Sequence, residues 1–164
     1  MGSHRNVRRE TRMHRVPVRN ENTFREDVKR KIMLFARGRH LTVILSCIGT
    51  VSAVNLKLSS SSETVTYEGL FDILNLSGTY SDVGARHDLV GSLNLTLVGP
   101  DGRVRGGLVE DVMVAAIPVQ RDDRLQVIVA TLSPRAPKPK NNALERPETS
   151  TDRTDGGSDA LVTV

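Results

Sequence analysis

Apolar side chains between Leu41 and Leu132 recur mainly at every second position, and this period constrains the fold more than any other feature of the sequence. A period of two places alternate side chains on the same face of an extended chain. The clearest case is the run in which Leu93, Leu95 and Leu97 alternate with polar residues. The pattern predicts strands at residues 41–48, 50–58, 64–76, 92–97, 112–119 and 125–132, and a short strand at 16–18.

Glycine, proline and polar residues divide this region into separate strands. Gly49 predicts a bulge or tight bend between the first two long strands, and Gly69 predicts a break within the third. The other predicted connections are loops at residues 59–62 and 81–90 and the turn Gly99-Pro100-Asp101-Gly102.

A helical period precedes the sheet. An apolar stripe predicts a helix over residues 24–37, formed by Val28, Ile32, Phe35 and Ala36. Thr23 and Glu26 have the spacing of a capping box at its start, and Gly38 suits a left-handed cap at its end. One helix with a mostly antiparallel sheet of about six to seven strands is an α+β fold.

The core of such a domain must be built from small and branched side chains. Aromatic residues make up 3% of the chain and Trp is absent, so we expect Val, Leu and Ile to fill the core. Cys47 is the only cysteine, which excludes an intramolecular disulfide bond. Because Cys47 lies in an apolar run, we expect a buried and unreactive thiol.

Charge is distributed unevenly along the chain. Residues 1–40 contain 12 Lys and Arg against 4 Asp and Glu, residues 41–132 contain 6 against 10, and residues 133–164 contain 5 against 5. We expect a disordered basic arm at 1–15, one folded domain at 16–132, and a disordered tail over 133–164. A basic arm on an acidic body is typical of proteins that meet a polyanion through one end.

The arm supplies the candidate DNA-contacting residues, which are Arg5, Arg8, Arg9, Arg12, Arg15 and Arg19. Contact with about six phosphates predicts weak binding that is indifferent to base sequence and falls with salt. A second interpretation of the same residues is a solvated tail or a nuclear-import signal.

The sequence carries no grouping typical of catalysis or metal binding. It lacks the nucleophile-elbow and phosphate-loop motifs, and its histidines are scattered, at His4, His14, His40 and His87. The adjacent Glu110 and Asp111 point to opposite faces of a strand. We therefore expect no enzyme, no cofactor and no metal. No apolar run approaches the roughly 20 residues of a membrane-spanning helix, so we also expect no membrane partner.

Several blocks of the sequence occur in an order that is typical of a known family. They are LTVILS at 41–46, GTVS at 49–52, TVTYEGLFDIL at 64–74, GPDGRV at 99–104 and AA at 115–116. Together these blocks resemble the plant and prokaryote conserved (PPC) domain of the AT-hook motif nuclear-localised (AHL) protein family.

The resemblance implies a trimeric domain of nuclear transcription regulators. Family members normally carry AT-hooks, whose Arg-Gly-Arg-Pro core binds the minor groove of A·T-rich DNA. The nearest match within these 164 residues is Arg37-Gly38-Arg39-His40, which lacks the proline and is explained as a helix C-cap. The resemblance also implies a segment that contacts other transcription factors, formed by Gly69, Leu70, Phe71, Asp72, Ile73 and Leu74.

Two departures from the family pattern bear on function. Leu70 stands where the family usually has Arg, which removes a forked hydrogen-bond donor, and residues 121–125 look inserted. Two functional hypotheses follow. The first is a nuclear, DNA-associated transcription regulator that acts as a homo-oligomer or hetero-oligomer. The second is a hook-less oligomerisation subunit that enters trimers with its relatives and lowers their avidity for DNA.

Overall fold

The computed structural model describes residues 9–18, 26–86, 88–117 and 125–134. These residues form one helix and seven strands, in the order β1 (Arg9–Val16), α1 (Val28–Ala36), β2 (Leu41–Ile48), β3 (Thr50–Lys57), β4 (Thr64–Val83), β5 (Asp88–Val98), β6 (Val104–Ala115) and β7 (Gln126–Pro134). All pairings between these strands are antiparallel, which confirms the predicted α+β class.

The sheet has the strand order β1-β7-β2-β4-β3-β6-β5, and a further pairing joins β4 to β5. β4 is 20 residues long and changes neighbours along its length. Its first half pairs with β3, as at Val51↔Phe71, and its second half pairs with β2, as at Thr42↔Tyr80. The β4–β5 pairing closes β3, β4, β5 and β6 into a ring, from which β2, β7 and β1 extend as an open sheet.

α1 covers one face of this sheet and buries the core. The buried residues of the helix are Val28, Ile32 and Ala36, which belong to the stripe predicted from the sequence. Val and Leu dominate the core cluster, as expected from the scarcity of aromatic residues. Cys47 lies in this cluster, and burial raises the pKa of its thiol to about 12. The prediction of a buried thiol is confirmed, and Cys47 is protonated at neutral pH.

Asp27 joins the start of α1 to β6. Its carboxylate accepts hydrogen bonds from the backbone amides of Arg30 at 3.3 Å and Met113 at 3.2 Å. The first bond caps the helix, and the second satisfies an amide of the sheet. The neighbouring Glu26 carbonyl accepts a bond from the amide of Ala115 at 2.9 Å. The helix start is therefore tied to one strand by both backbone and side chain.

α1 is shorter than the helix predicted over residues 24–37. It begins at Val28, behind the Asp27 cap, and it ends at Ala36. Asp27 has an extended backbone, and Glu26 precedes the helix, so the predicted helical start is wrong at these two positions. Residues 23–25, which include the predicted capping Thr, lie outside the described residues. The C-terminal prediction is confirmed, because Gly38 takes a left-handed φ of 73°.

The structure corrects the prediction of a disordered arm over residues 9–15. Arg9–Val16 form β1 and pair with β7 along the whole strand, from Arg9↔Pro134 to Val16↔Val127. β1 lies at the edge of the sheet and buries only Val16, so it has no alternating apolar pattern to reveal it. Of the short strand expected at 16–18, only Val16 belongs to a strand, and that strand lies mostly before it. Residues 1–8 lie outside the described residues.

Three further strands extend beyond their predicted limits. β4 continues through Gly69 to Val83, and β5 begins at Asp88, so most of the loop predicted over 81–90 belongs to strands. β6 begins at Val104, whereas the sequence predicts a strand from residue 112. In each extension the backbone is paired with a neighbouring strand, although many of its side chains are exposed. The end of the predicted strand at 118–119 and most of the apparent insertion, residues 121–124, lie outside the described residues.

Gly78 shows why glycine is compatible with a strand here. A Cβ atom at this position would lie 2.1 Å from the carbonyl oxygen of Ser92 on β5. Only glycine allows the two backbones to approach this closely. Gly78 therefore marks a close contact between β4 and β5.

We predict that Asp27→Ala lowers the free energy of unfolding by about 2–4 kcal/mol, because it removes a helix cap and leaves the Met113 amide unsatisfied. Asp27→Asn keeps one acceptor oxygen and should cost less. The exposed Asp111→Ala is the matched control, with an expected change within about 0.5 kcal/mol. Urea denaturation measures the free energy of unfolding of all three variants. An equal loss for Asp27→Ala and Asp111→Ala would contradict a stabilising role of the Asp27 hydrogen bonds.

Candidate partner and nucleic-acid interfaces

The predicted partner segment, Gly69–Leu74, lies in the middle of β4 and divides into inward and outward side chains. Phe71 is buried and Ile73 packs against the core. Leu70 and Leu74 are 64% and 55% exposed. Asp72 also points outwards, and its carboxylate accepts a bond from the Thr50 hydroxyl at 2.8 Å. The segment therefore exposes Leu70 and Leu74 on a strand that Phe71 and Ile73 attach to the core.

A fixed guanidinium group packs beside the buried part of this segment. The Arg105 guanidinium lies 5.6 Å from the ring centroid of Tyr67 and 5.5 Å from that of Phe71. The two rings meet edge to face, with centroids 6.0 Å apart. Such contacts combine the ring quadrupole with the cation and hold the aromatic side chains in one orientation. The position of Phe71 is therefore set by β6 as well as by its own strand.

Asp101 holds Arg105 in place through two parallel hydrogen bonds. The Nη1–Oδ1 distance is 3.1 Å and the Nη2–Oδ2 distance is 2.6 Å. These bonds from Arg105, followed by the Arg103 amide, hold the pKa of the Asp101 carboxyl below its ordinary range. The same pair raises the pKa of Arg105. Both groups are therefore ionised at neutral pH. We call this ion pair the Arg105 clamp, and its carboxylate lies in the predicted turn at Gly99–Gly102.

The structure separates the arginines predicted to contact DNA. Arg9, Arg12 and Arg15 lie on β1, while Arg5, Arg8 and Arg19 lie outside the described residues. Arg12 forms an ion pair with Glu10 at 2.9 Å. Arg15 pairs with Ile128 at the far end of the strand from Arg9. Six residues of extended chain span about 20 Å, so Arg9 and Arg15 do not form one compact patch.

The open sheet has a second face that sequence reasoning missed and that no element of the described residues covers. His14 stacks against Phe35 of α1 with ring centroids 5.4 Å apart, so its neighbour Met13 points away from the helix. Met13 pairs with Ala130, and Ala130 pairs with Val43, which places these side chains on one face. We call this surface the back face, and its apolar members are Met13, Leu41, Val43, Ile128, Ala130 and Leu132.

None of the six back-face residues belongs to the core cluster. Met13 is 70% exposed, and four others are partly exposed. The signal for this face was present in the sequence, because residues 41–45 and 127–130 are nearly continuous apolar runs. Such runs indicate strands with apolar side chains on both faces rather than one.

The described residues contain no group of three or more His, Cys, Asp or Glu side chains placed to hold a metal ion. They also contain no helix that is long and apolar enough to cross a membrane.

The fold is that of an antiparallel β domain with one covering helix, whose exposed features are apolar and basic surfaces. Residues 17–121 match the family model of the Plants and Prokaryotes Conserved (PCC) domain. The chain therefore belongs to this family, and the resemblance identified from the sequence blocks is confirmed.

Curated relatives from Arabidopsis thaliana agree with this assignment. AT-hook motif nuclear-localized protein 2 is 39% identical over 127 residues, which cover 71% of this chain and 36% of the relative. AT-hook motif nuclear-localized protein 1 is 43% identical over 99 residues, which cover 58% of this chain and 28% of the relative. The chain thus spans about a third of the length of the curated relatives it matches.

Solved structures show the same fold at lower sequence identity. A plant- and prokaryote-conserved protein of Pyrococcus horikoshii matches with a TM-score of 0.53 and 18% identity, covering 76% of this chain and 79% of that one. A hypothetical protein from Salmonella enterica matches with a TM-score of 0.58 and 18% identity, covering 77% and 80%. These similarities support the fold assignment alone.

We predict very different losses of stability for alanine substitutions at two neighbouring residues of the partner segment. Phe71→Ala should lower the free energy of unfolding by about 3–5 kcal/mol, because it removes a buried ring. Leu70→Ala should change it by less than about 0.5 kcal/mol, because the side chain is exposed. Thermal or urea denaturation of both variants checks the orientation of this strand, and a large loss for Leu70→Ala would show that it is wrong.

Proposed function

We propose that this protein is a nuclear, DNA-associated regulator of transcription that acts as a homotrimer or as a heterotrimer with related PPC proteins. The observation that carries this proposal is its sequence identity to AT-hook motif nuclear-localized proteins, 39% for one relative and 43% for another. The two matches cover only 36% and 28% of the relatives' length. The role of the complete relatives is therefore extended to this chain as a proposal.

The back face supports the oligomeric part of the proposal. It presents a row of apolar side chains on three adjacent strands, with Met13 at its edge and Val43 at its centre. Contiguous apolar surface of this kind is unfavourable in water and marks contact sites between proteins. Burial of the back face against a second copy of the domain would remove it from water.

The partner segment supports contact with other transcription factors. Leu70 and Leu74 protrude from a strand whose position is set by Phe71 and the Arg105 clamp. An ordered apolar surface binds with a smaller loss of conformational entropy than a flexible loop does. Because Leu70 replaces the usual Arg, we propose an apolar contact in place of a charged one.

The basic residues support the association with DNA. The described part of β1 carries Arg9, Arg12 and Arg15, and the adjoining sequence adds Arg5, Arg8 and Arg19. Arginines bind phosphate oxygens without reading the base sequence. We therefore propose weak contact with duplex DNA, including A·T-rich duplexes, that depends on charge.

The second candidate is the oligomerisation subunit without DNA binding of its own. Two observations favour it: the back face is present, and no Arg-Gly-Arg-Pro occurs within these 164 residues. A trimer that contains this chain in place of a hook-bearing relative would have one DNA anchor fewer, and its avidity would fall steeply. In this case the chain acts as a brake on its relatives.

We predict that Met13→Glu dissociates the oligomer, because it places a charge within an apolar contact. Size-exclusion chromatography with light scattering should give close to three times the 18.0 kDa chain mass for the wild type and a lower mass for the variant. Leu34→Glu on the outside of α1, where Leu34 is 50% exposed, is the matched control and should keep the wild-type mass. A monomeric wild type would contradict the proposed assembly, and an unchanged Met13→Glu would exclude the back face.

We predict salt-dependent binding of the whole chain to an A·T-rich duplex, with a slope of log affinity against log salt near −5 if six arginines contact phosphates. A G·C-rich duplex of equal length should bind almost as well, because phosphate contacts carry no sequence information. Fluorescence anisotropy between about 50 and 200 mM salt measures both duplexes. Absence of salt-dependent binding would exclude direct DNA contact.

The two candidates differ in their effect on a hook-bearing relative. Co-expression followed by size-exclusion and a duplex-shift assay should give mixed oligomers with normal DNA binding for the first, and mixed oligomers with weakened binding for the second. Homotrimers that never exchange subunits with the relative would exclude the second candidate, because lowering a relative's avidity for DNA requires mixed trimers.

A further inference from the structure

Three connections of the fold converge at one end of the open sheet. β1 starts there with Arg9, and the turn from α1 to β2 lies at the same level, because Leu41 pairs with Leu132, which pairs with Thr11. The amide of Asp82 near the end of β4 donates to the Arg39 carbonyl at 3.4 Å. The turn from β4 to β5, which begins at Gly84, is therefore held beside the turn from α1 to β2.

These connections gather the basic pole, which consists of Arg9, Arg37, Arg39, His40 and Arg86. Arg9, Arg37 and Arg86 are exposed, and within the described ranges their side chains make no ion pair. Among the described residues, the carboxylates at this end are those of Glu10, Asp82 and Asp88. Glu10 pairs with Arg12, and Asp82 accepts a hydrogen bond from the amide of Gly38. The arginines therefore outnumber the carboxylates, and three of them face solvent.

The turn at Gly38 excludes one explanation of this cluster. An AT-hook core lies extended in the minor groove, whereas Gly38 has a left-handed φ of 73° and its amide is bound by Asp82. The Arg39 guanidinium lies 3.8 Å from the centroid of the Phe35 ring and donates to the Phe35 carbonyl. Arg37-Gly38-Arg39-His40 is thus a folded turn that presents Arg37 to solvent.

Complementing the helix dipole accounts for only part of the basic pole. A cation near the C-terminus of α1 is favourable, and Arg39 fills this role through its bond to the Phe35 carbonyl. Arg9 and Arg86 lie on other elements, and the helix end does not explain them. Positive charge from three separate segments thus lies at one end of the sheet, where four arginines exceed three carboxylates among the described residues.

The sequence on both sides of the sheet adds charge of the same sign. Arg5 and Arg8 precede β1, and Arg135, Lys138 and Lys140 follow β7. Neither residues 1–8 nor residues 135–140 contain Asp or Glu. Because Arg9 pairs with Pro134, the ends of β1 and β7 that adjoin these stretches in the sequence lie side by side.

We propose that the basic pole contacts the phosphate backbone of duplex DNA, independently of base sequence. The proposal rests on the DNA association proposed above and assigns it to the folded domain itself, through Arg9, Arg37 and Arg86. Neutralising phosphates releases counterions from the duplex, so each contact adds about −0.9 to the salt slope. Arg12 and Arg15 do not belong to this surface, because one is paired and the other lies at the opposite end of β1.

The test compares two double variants of the whole chain on one 30-base-pair duplex by fluorescence anisotropy. Arg37→Ala with Arg86→Ala removes two exposed cations of the basic pole. Arg30→Ala with Arg103→Ala removes the same charge elsewhere: Arg30 lies in the first turn of α1, and Arg103 lies beyond the opposite end of β5. None of the four side chains has a hydrogen bond or ion pair within the described residues, and urea denaturation checks that all variants are folded.

We expect the pole variant to have a salt slope about 1.8 smaller in magnitude than the wild type. Both affinities fall between 50 and 200 mM salt, but the fold-decrease should be about 12 times smaller for the pole variant than for the wild type. The control variant should keep the wild-type slope. If DNA binding persists and both variants keep that slope, the basic pole is not the contact, although the DNA association stands. If the wild-type chain does not bind the duplex at all, the proposed function fails together with this assignment.

Discussion

The carboxylate of Asp27 is the contact on which the arrangement of helix and sheet depends. It bonds the amides of Arg30 and Met113 at once, so the direction of α1 and the end of β6 are set by one side chain. The bond from Ala115 to the Glu26 carbonyl reinforces the same junction, and Lys29 donates to the Val109 carbonyl at 3.2 Å. With α1 fixed at its start, its apolar stripe covers one face of the sheet and leaves the back face open.

This asymmetry separates the proposed contacts in space. The back face is apolar because the helix covers the opposite side, and the basic pole lies where β1, β2 and the β4–β5 turn end together. The partner segment lies within the ring of β3, β4, β5 and β6, held by Phe71 and Arg105. Assembly through the back face would leave Arg37 and Arg86 free, because both lie in turns, whereas Arg9 lies four residues from Met13 on β1 and points to the same face.

The period of apolar residues predicted helices and strands correctly where one face of the element is buried. It failed where an element is held mainly by backbone hydrogen bonds to a neighbouring strand. Leu93, Leu95 and Leu97 revealed β5, and Val28, Ile32 and Ala36 revealed α1, because each set buries one face. β1 was missed since its strand bonds to β7 leave seven of its eight side chains unburied. The site predictions divide in the same way. The partner segment was placed in a strand, but the cations of the basic pole come from the start of β1 and from two turns, which no local pattern connects.

The sequence by itself determined the fold class, the Val- and Leu-rich core and the family, because these depend on periodicity and on blocks of adjacent residues. The tertiary structure decided which arginines share a surface: it paired Arg12 with Glu10 and brought Arg9 to the same end of the sheet as the turn that carries Arg37. It also decided that Met13 and Val43 lie on one uncovered face. These relations depend on strand order and register, which join residues more than 80 positions apart in β1, β2 and β7, and the local alternation of side chains carries no information about such pairings.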